Sequence, residues 1–275
     1  MIKTIGVIGL GKMGLPMVRH LCAHNFKVLA YDVQVEAVNG AVALGAHAAA
    51  SPRDIATHAD LAIIVVGFDP EVIEVFESDN GLLAGAHDGL TIAVASTVSV
   101  ETMKHLEQKA TSSGTQIHIL DIPLCRGDAA AEQGSLLLMA GGSQNIYETC
   151  LPAFHSFASD CYLLGPIGSG QVGKMINNLL LWACVSANYE GLKLGEALGV
   201  NEHILREALL KSSGANWALE TWLQPRPMPW AEKDMSIVMT EADNARLSLP
   251  LCGVIREVIK GIKIERGLVA PKPIR

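Results

Sequence analysis

The stretch "TIGVIGLGKMGLPM", residues 4–17, decides the fold. An apolar, β-branched run leads into glycines at positions 9, 11 and 14, and a helical pattern starts at once after them. A GxGxxG triplet alone is weak. Here it stands between a strand and a helix, and the next apolar run, "KVLAYD" (27–32), ends in an acid, Asp32. That context specifies a dinucleotide-binding turn. Gly9 permits the tight turn, Gly11 lets backbone N–H groups approach a pyrophosphate at the helix N-terminus, and Gly14 lets the helix lie close on the sheet. Asp32 can accept hydrogen bonds from ribose hydroxyls. Its charge repels a 2′-phosphate, and "YDVQVE" (31–36) supplies no Arg or Lys to neutralise one, so NAD is favoured over NADP. Leu10, Lys12, Met13 and Tyr31 complete the candidate cofactor contacts around this turn.

Outward from the turn, short apolar runs alternate with helix-like segments as far as "CYLLG" (161–165). The runs "LAIIVVG" (61–67), "LTIAVAS" (90–96), "IHILDIP" (117–123) and "SLLLMAGG" (135–142) are continuous rather than alternating in hydrophobicity, the pattern of a parallel sheet covered on both faces. An α/β, doubly wound Rossmann-type domain is expected over 1–165. After Gly165-Pro166 the strands stop. A helical pattern runs from Ser169 to about Leu198, roughly 45 Å at 1.5 Å per residue. Further helices are expected at 202–213, 231–246 and 250–267, with an irregular proline-rich loop "LQPRPMPW" at 223–230. An all-α second domain is therefore expected over 166–275, joined by the long helix.

Ligands of such sheets bind at the carboxyl ends of the strands. Gly67 and Phe68 after the third strand, and Ser96 and Thr97 after the fourth, are candidates; Ser96 and Thr97 could equally cap the helix at 100–113. With a formal charge of −7 and no Lys/Arg run, the chain is a poor partner for nucleic acid or an anionic membrane surface, so a small molecule is expected. No apolar run approaches the roughly 20 residues of a membrane span. Six scattered cysteines without a CxxC pair, and no leader-like segment, suit a reducing cytoplasm; no metal-ligand spacing is present.

"GSGQVGKMINNLLLWACV" (168–185) sets Lys174, Asn177 and Asn178 into an otherwise core-like helix. Buried polar groups need partners or a task. Together with "GLGKMGLPM" (9–17), "DIPLCRGDAAAEQGSLLLMAGG" (121–142) and "EKDMSIVMTEA" (232–242), this stretch resembles the β-hydroxyacid dehydrogenase family, which includes 3-hydroxyisobutyrate, tartronate semialdehyde, 4-hydroxybutyrate and sulfolactaldehyde enzymes. The resemblance spans nearly the whole chain. It implies an active-site cleft between two domains, Lys174 as catalytic acid/base, Asn178 as its orienting partner, and Lys233 beside nicotinamide and substrate. It also implies a loop after Asp121, with Pro123, Cys125, Arg126 and Gly127, that holds the substrate's acid group; Ser96 joins it as a substrate candidate from its place after the fourth strand. Alcohol oxidation needs a base for the hydroxyl proton as hydride leaves carbon, and a lysine kept partly neutral by desolvation and a second ammonium serves both directions. Lys174 and Asn178, one turn apart, share a helix face.

Family members commonly read DxPVSGG where this chain has "DIPLCRG" (121–127), so Cys125 stands at the serine and Arg126 at the first glycine. A thiol donates poorly, whereas a guanidinium can hold a carboxylate, sulfonate or phosphonate bidentately. Arg126 either takes over anion binding or turns to solvent or to Asp128. Trp217, Trp222 and Trp230 wall the cleft, bury an oligomer contact or pack in the core. The expected activity is NAD-dependent interconversion of a small anionic β-hydroxy acid with its semialdehyde or ketone. The rivals are an imine reductase and a non-catalytic nucleotide-binding interaction protein, both of which usually lack the lysine. A long apolar helix in a small domain implies a homodimer or homotetramer.

Overall fold

The structure is a computed structural model and describes residues 2–224, 228 and 230–268. In chain order the first part comprises β1 (Thr4–Ile8), α1 (Gly14–Ala23), β2 (Lys27–Tyr31), α2 (Val35–Ala43), β3 (His47–Ala48), α3 (Pro52–His58), β4 (Leu61–Ile64), α4 (Asp69–Glu77), α5 (Leu82–Gly85), β5 (Thr91–Val94), α6 (Val100–Ser112), β6 (His118–Asp121), β7 (Leu124–Cys125), α7 (Gly127–Gln133), β8 (Leu136–Gly141), α8 (Gln144–Phe154) and β9 (Ala158–Gly165). Helices α9 (Ser169–Ala197), α10 (Glu202–Leu209), α11 (Trp217–Glu220), α12 (Ala231–Asn244) and α13 (Pro250–Glu265) come after them. The chain forms two compact units, Met1–Lys174 and Met175–Arg275.

The first unit is built on one sheet in the order β3-β2-β1-β4-β5-β6-β8-β7, with β9 on β8. From β3 to β6 every pairing is parallel. Alternate residues of single strands enter two separate cores: Leu61 and Ile63 of β4 join one, Ala62 and Ile64 the other. Ala93 and Leu120 likewise face one side, and Ile92, Val94 and Ile119 the other. This is why the strands read as unbroken apolar runs: each Ile or Leu is buried on its own face, worth about 1.5–3 kcal/mol apiece relative to exposure. The departure from the parallel expectation is β8, antiparallel to β6 and β7, while β9 returns parallel to β8 through α8. The two-residue strands β3 and β7 carry too few residues for a periodicity to announce them.

The chain enters β2 and β3 on one side of β1 and then crosses to β4 on the other. The switch point between β1 and β4 therefore opens at the carboxyl end of β1, where the glycine turn lies.

The second unit is helical. Val185 and Trp182 of α9, Met235 and Val238 of α12, and Cys252, Ile255, Ile259 and Ile262 of α13 share one core, the last four at the 3-4-3 spacing of a buried helix stripe. Across α12 and α13 runs a buried ion pair, Lys263 Nζ to Glu232 Oε2 at 2.5 Å, whose other oxygen, Oε1, finds no hydrogen-bond partner among the described residues. Of the tryptophans, Trp217 and Trp230 are about half exposed and Trp222 is partly buried against Arg266. The prolines of the expected loop, within residues 225–227 and 229, lie outside the described residues. No described helix is long and apolar enough to cross a membrane.

Candidate active site

The glycine turn separates into two kinds of position. Gly9 has φ +96°, and a Cβ there would stand 2.2 Å from the Val65 carbonyl oxygen; a Cβ on Gly14 would stand 1.9 Å from the Gly9 carbonyl oxygen. Both are glycine for packing within the fold. At Gly11 a Cβ would meet nothing within 4 Å, so packing among the described residues does not call for glycine at this exposed position. A pyrophosphate lying on the turn fits that space and the N–H groups beside it. The turn is held from β2: Gly9 N donates to the Tyr31 carbonyl at 3.0 Å, and Leu10 N donates to Asp32 Oδ2 at 2.7 Å. Asp32 Oδ1 accepts from Gln34 N at 2.8 Å. Each carboxylate oxygen keeps a lone pair for a ribose hydroxyl. Lys12 and Met13 sit on the turn, Lys12 exposed and 3.8 Å from Asp128.

At the end of β4, Glu71 Oε2 accepts from Gly67 N and Phe68 N, at 2.8 and 3.2 Å, and so fixes the start of α4. At the end of β5 the capping alternative does not hold: Ser99 caps α6, its hydroxyl accepting from Thr102 N. Ser96 is buried instead, accepting from Val66 N at 2.9 Å and donating toward the Ile64 carbonyl. Its hydroxyl is committed to joining the ends of β4 and β5, and Thr97 beside it is half-buried.

Two residues to which the sequence pattern assigns no role of their own, Asp121 of the DxP stretch and Gln171, hold the start of α9. Asp121, at the end of β6, is wholly buried and accepts from Gly168 N at 2.7 Å and Gln171 N at 2.8 Å. Burial pushes its carboxyl above the ordinary aspartate range, with those backbone N–H groups pulling the other way. A Cβ on Gly170 would meet the Met139 carbonyl oxygen at 2.3 Å and Asp121 Oδ2 at 2.7 Å, so the second glycine of "GSG" lets the helix start lie directly on the carboxylate. Gln171 is equally buried; its Oε1 accepts from Val98 N at 3.1 Å and its Nε2 donates to the Ser96 carbonyl at 2.8 Å. The one available signal is a glutamine directly after "GSG" (168–170) at a helix start, which composition alone does not distinguish.

Lys174 comes within the same helical turn, half-buried. Its charge bears on Cys125, whose thiol burial pushes up while Lys174 and Arg126 draw it down. The hydrogen bonds of Gly168 N and Gln171 N to Asp121 bring the start of the helix that carries Lys174 to the strand end from which the loop with Pro123, Cys125, Arg126 and Gly127 departs. Pro123 and Cys125 are buried, Arg126 and Gly127 exposed. Arg126 keeps its side chain 41% exposed and pairs with Asp160 rather than Asp128. One guanidinium nitrogen donates to Asp160 Oδ2 at 2.7 Å, Ser159 Oγ at 2.8 Å and the Ser135 carbonyl at 3.1 Å. Its backbone has φ +82°, the left-handed conformation for which the family's glycine is suited, and Gly127 after it has φ +76°.

In the second unit, Asn178 is buried and its Oδ1 accepts from Asn177 Nδ2 at 3.1 Å. Lys233 lies in the first turn of α12, with Nζ 5.7 Å from the centroid of the Trp230 ring. Beside it, Asp234 is buried and accepts from Trp182 Nε1 at 3.1 Å.

Comparison with known proteins agrees with this architecture. Residues 4–165 match the NAD binding domain of 6-phosphogluconate dehydrogenase, and residues 168–268 match the NAD-binding family of NADP-dependent 3-hydroxyisobutyrate dehydrogenase. The NAD-dependent L-serine dehydrogenase of Pseudomonas aeruginosa is 36% identical over 80% of this chain and 73% of its own. The 3-hydroxyisobutyrate dehydrogenase of the same organism is 29% identical over 92% of this chain and 90% of its own. The fold is shared with a solved structure of Mycobacterium tuberculosis 3-hydroxyisobutyrate dehydrogenase with L-serine, at TM-score 0.87 and 24% identity over 98% of this chain and 96% of that one. With a glycine-rich turn at the switch point of the sheet and matches across both halves, the chain belongs to the β-hydroxyacid dehydrogenase family of nicotinamide-dependent oxidoreductases acting on CH–OH groups.

Proposed function

We propose that the protein oxidises the hydroxyl of a small β-hydroxy acid, with L-serine and 3-hydroxyisobutyrate as the first substrates to try, using NAD in preference to NADP and Lys174 as acid/base. The observation that supports this reading is the anchoring of Gly168 N and Gln171 N, at the start of the helix that carries Lys174, on the carboxylate of Asp121 at the strand end that leads into the loop 123–127. Bound nicotinamide supplies the hydride acceptor. The amine of Lys174 takes the hydroxyl proton as the C–H pair leaves, and returns it in the reverse direction. Asn178, four residues on along α9, and Lys233 take the roles of orienting the lysine and holding the substrate on the strength of the family resemblance. Arg126 binds Asp160 through one guanidinium nitrogen, so a substrate anion of any head group would have to compete with that exposed pair for it.

Preference for NAD rests on Asp32 and its chain neighbours: Val33 and Val35, 80% and 66% exposed, and Gln34, with no cation among them for a 2′-phosphate. Free thiols at all six cysteines suit a reducing compartment. The exposed apolar residues Ile176, Leu180, Leu194 and Leu198 in and just beyond α9 support self-association, read by sedimentation.

The test monitors NADH or NADPH formation with L-serine, 3-hydroxyisobutyrate, glycerate, 4-hydroxybutyrate, dihydroxypropanesulfonate and a hydroxyalkylphosphonate. Turnover of a carboxylate with NAD, falling about 10²–10⁴-fold in Lys174→Ala, is the expected result. Binding of NAD without turnover of any member, or full activity in Lys174→Ala, overturns it.

A further inference from the structure

Gln171 is not itself a candidate ligand contact, yet it is 2% exposed with both side-chain polar atoms in use. Its backbone is bound on one side by the Asp121 carboxylate at the end of β6, and its amide spans the Ser96 carbonyl and the Val98 N–H beyond β5. Lys174 stands three residues later on the same helix. We propose that Gln171 is a positioning residue for the reaction: its amide ties the Ser96–Val98 segment to the first turn of α9, so that Lys174 is aimed from a helix start fixed to the sheet.

The argument is geometric. A helix start held only by its own backbone bonds frays, and its first four N–H groups need outside acceptors. The Asp121 carboxylate accepts from two N–H groups here, which ties the helix start to the end of β6. A second attachment, to the segment beyond β5, further restrains the rotation that would swing the Lys174 side chain. The Gln171 amide is that attachment. It donates to one backbone group and accepts from another two residues away, so it fits one orientation of the 96–98 segment and no other. Because Thr97 lies between its two partners, the same amide sets the loop expected to contact the cofactor and the helix expected to move the proton.

The inference rests on Lys174 being the acid/base, and the test separates the two. Gln171→Met, of similar length without hydrogen bonds, is compared with Lys174→Ala and with the double variant, measuring kcat, KM, the pH profile of kcat, the Kd for NAD and the melting temperature. The expected result is a kcat about 10–100-fold lower in Gln171→Met, since misplacement by an ångström costs that much. Its pH profile is displaced, the Kd for NAD stays within about threefold, and the double variant loses no more kcat than Lys174→Ala alone. If Lys174→Ala is depleted but Gln171→Met keeps its kcat, or if the two losses multiply, the positioning role is wrong and the acid/base role stands. If Lys174→Ala keeps its kcat, both fall. Should Gln171→Met fail to fold, Gln171→Glu, which keeps the acceptor for Val98 and loses the donor to Ser96, gives the same readouts.

Discussion

Replacing Gly11 by alanine separates what the fold needs from what the ligand needs. The added methyl would meet nothing within 4 Å, and the position is exposed, so folding stability is expected to change by no more than about 0.5 kcal/mol. Gly14→Ala is the contrasting case: its Cβ would stand 1.9 Å from the Gly9 carbonyl oxygen, against an ordinary contact distance of about 3.5 Å. The backbone would have to yield by roughly 1.5 Å, an overpacking that costs typically about 1–3 kcal/mol. For NAD the order reverses in meaning. A methyl at Gly11 holds the pyrophosphate away from the turn and weakens at least one charge-assisted N–H contact, worth about 1.5–3 kcal/mol, or about 10–150-fold in Kd. Titration calorimetry with NAD, beside thermal melts of the three proteins, reads both quantities. Gly11→Ala should melt with the parent and bind NAD at least about tenfold more weakly, while Gly14→Ala should melt several degrees lower. Parental NAD affinity in a well-folded Gly11→Ala would refute the placement of the pyrophosphate on this turn.

Arg126→Gly removes a side chain from a left-handed position that costs a non-glycine residue about 1–2 kcal/mol, so its melting temperature should hold or rise despite the lost tether to Asp160. If the guanidinium stays on Asp160 during turnover, kcat/KM changes less than about threefold; a loss near 100-fold, about 2.7 kcal/mol, would place Arg126 on the substrate's anion instead. Asp121 has its carboxyl raised by burial, so its contribution to stability is present below the unfolded value near 3.8 and is lost as pH rises through the raised folded value. Chemical denaturation across the range from about pH 4 to about pH 7 should therefore show the parent's advantage over Asp121→Asn shrinking with rising pH, and a gap that widens would show that the helix N–H groups outweigh burial. In the second unit, Lys263→Ala strands Glu232, whose Oε1 already lacks a partner among the described residues; a loss of about 3–5 kcal/mol is expected, largely recovered when Glu232→Met is added, and equal losses in the single and double variants would contradict a stranded charge.

What the sequence made legible depends on the length scale of each signal. Strands β1, β4 and β5 were readable because burial on both faces forces an unbroken apolar run, and α9 because no proline interrupts 29 residues. Strands β3 and β7, two residues each, carry no period to read, and the antiparallel turn of β8 depends on pairing with β6 at one register, Asp121 opposite Gly141, which no local pattern encodes. The same distinction runs through the site. Gly9, Gly11, Gly14 and Asp32 form a compact motif, and Lys174 declared itself as a charge in an apolar helix. Asp121 stood in the DxP motif without its partner being readable, and Gln171 did not declare itself, because their work is done across 50 and 75 residues of chain, by a carboxylate reaching a helix start and an amide reaching a loop. Arg126 shows the limit most clearly. Its chemistry suited an anion, and the guanidinium did find one, but it is the carboxylate of Asp160 on β9, brought alongside only when β7, β8 and β9 assemble at one edge of the sheet. A residue type constrains which partners are acceptable; the topology decides which acceptable partner arrives first, and a substrate has to compete with that.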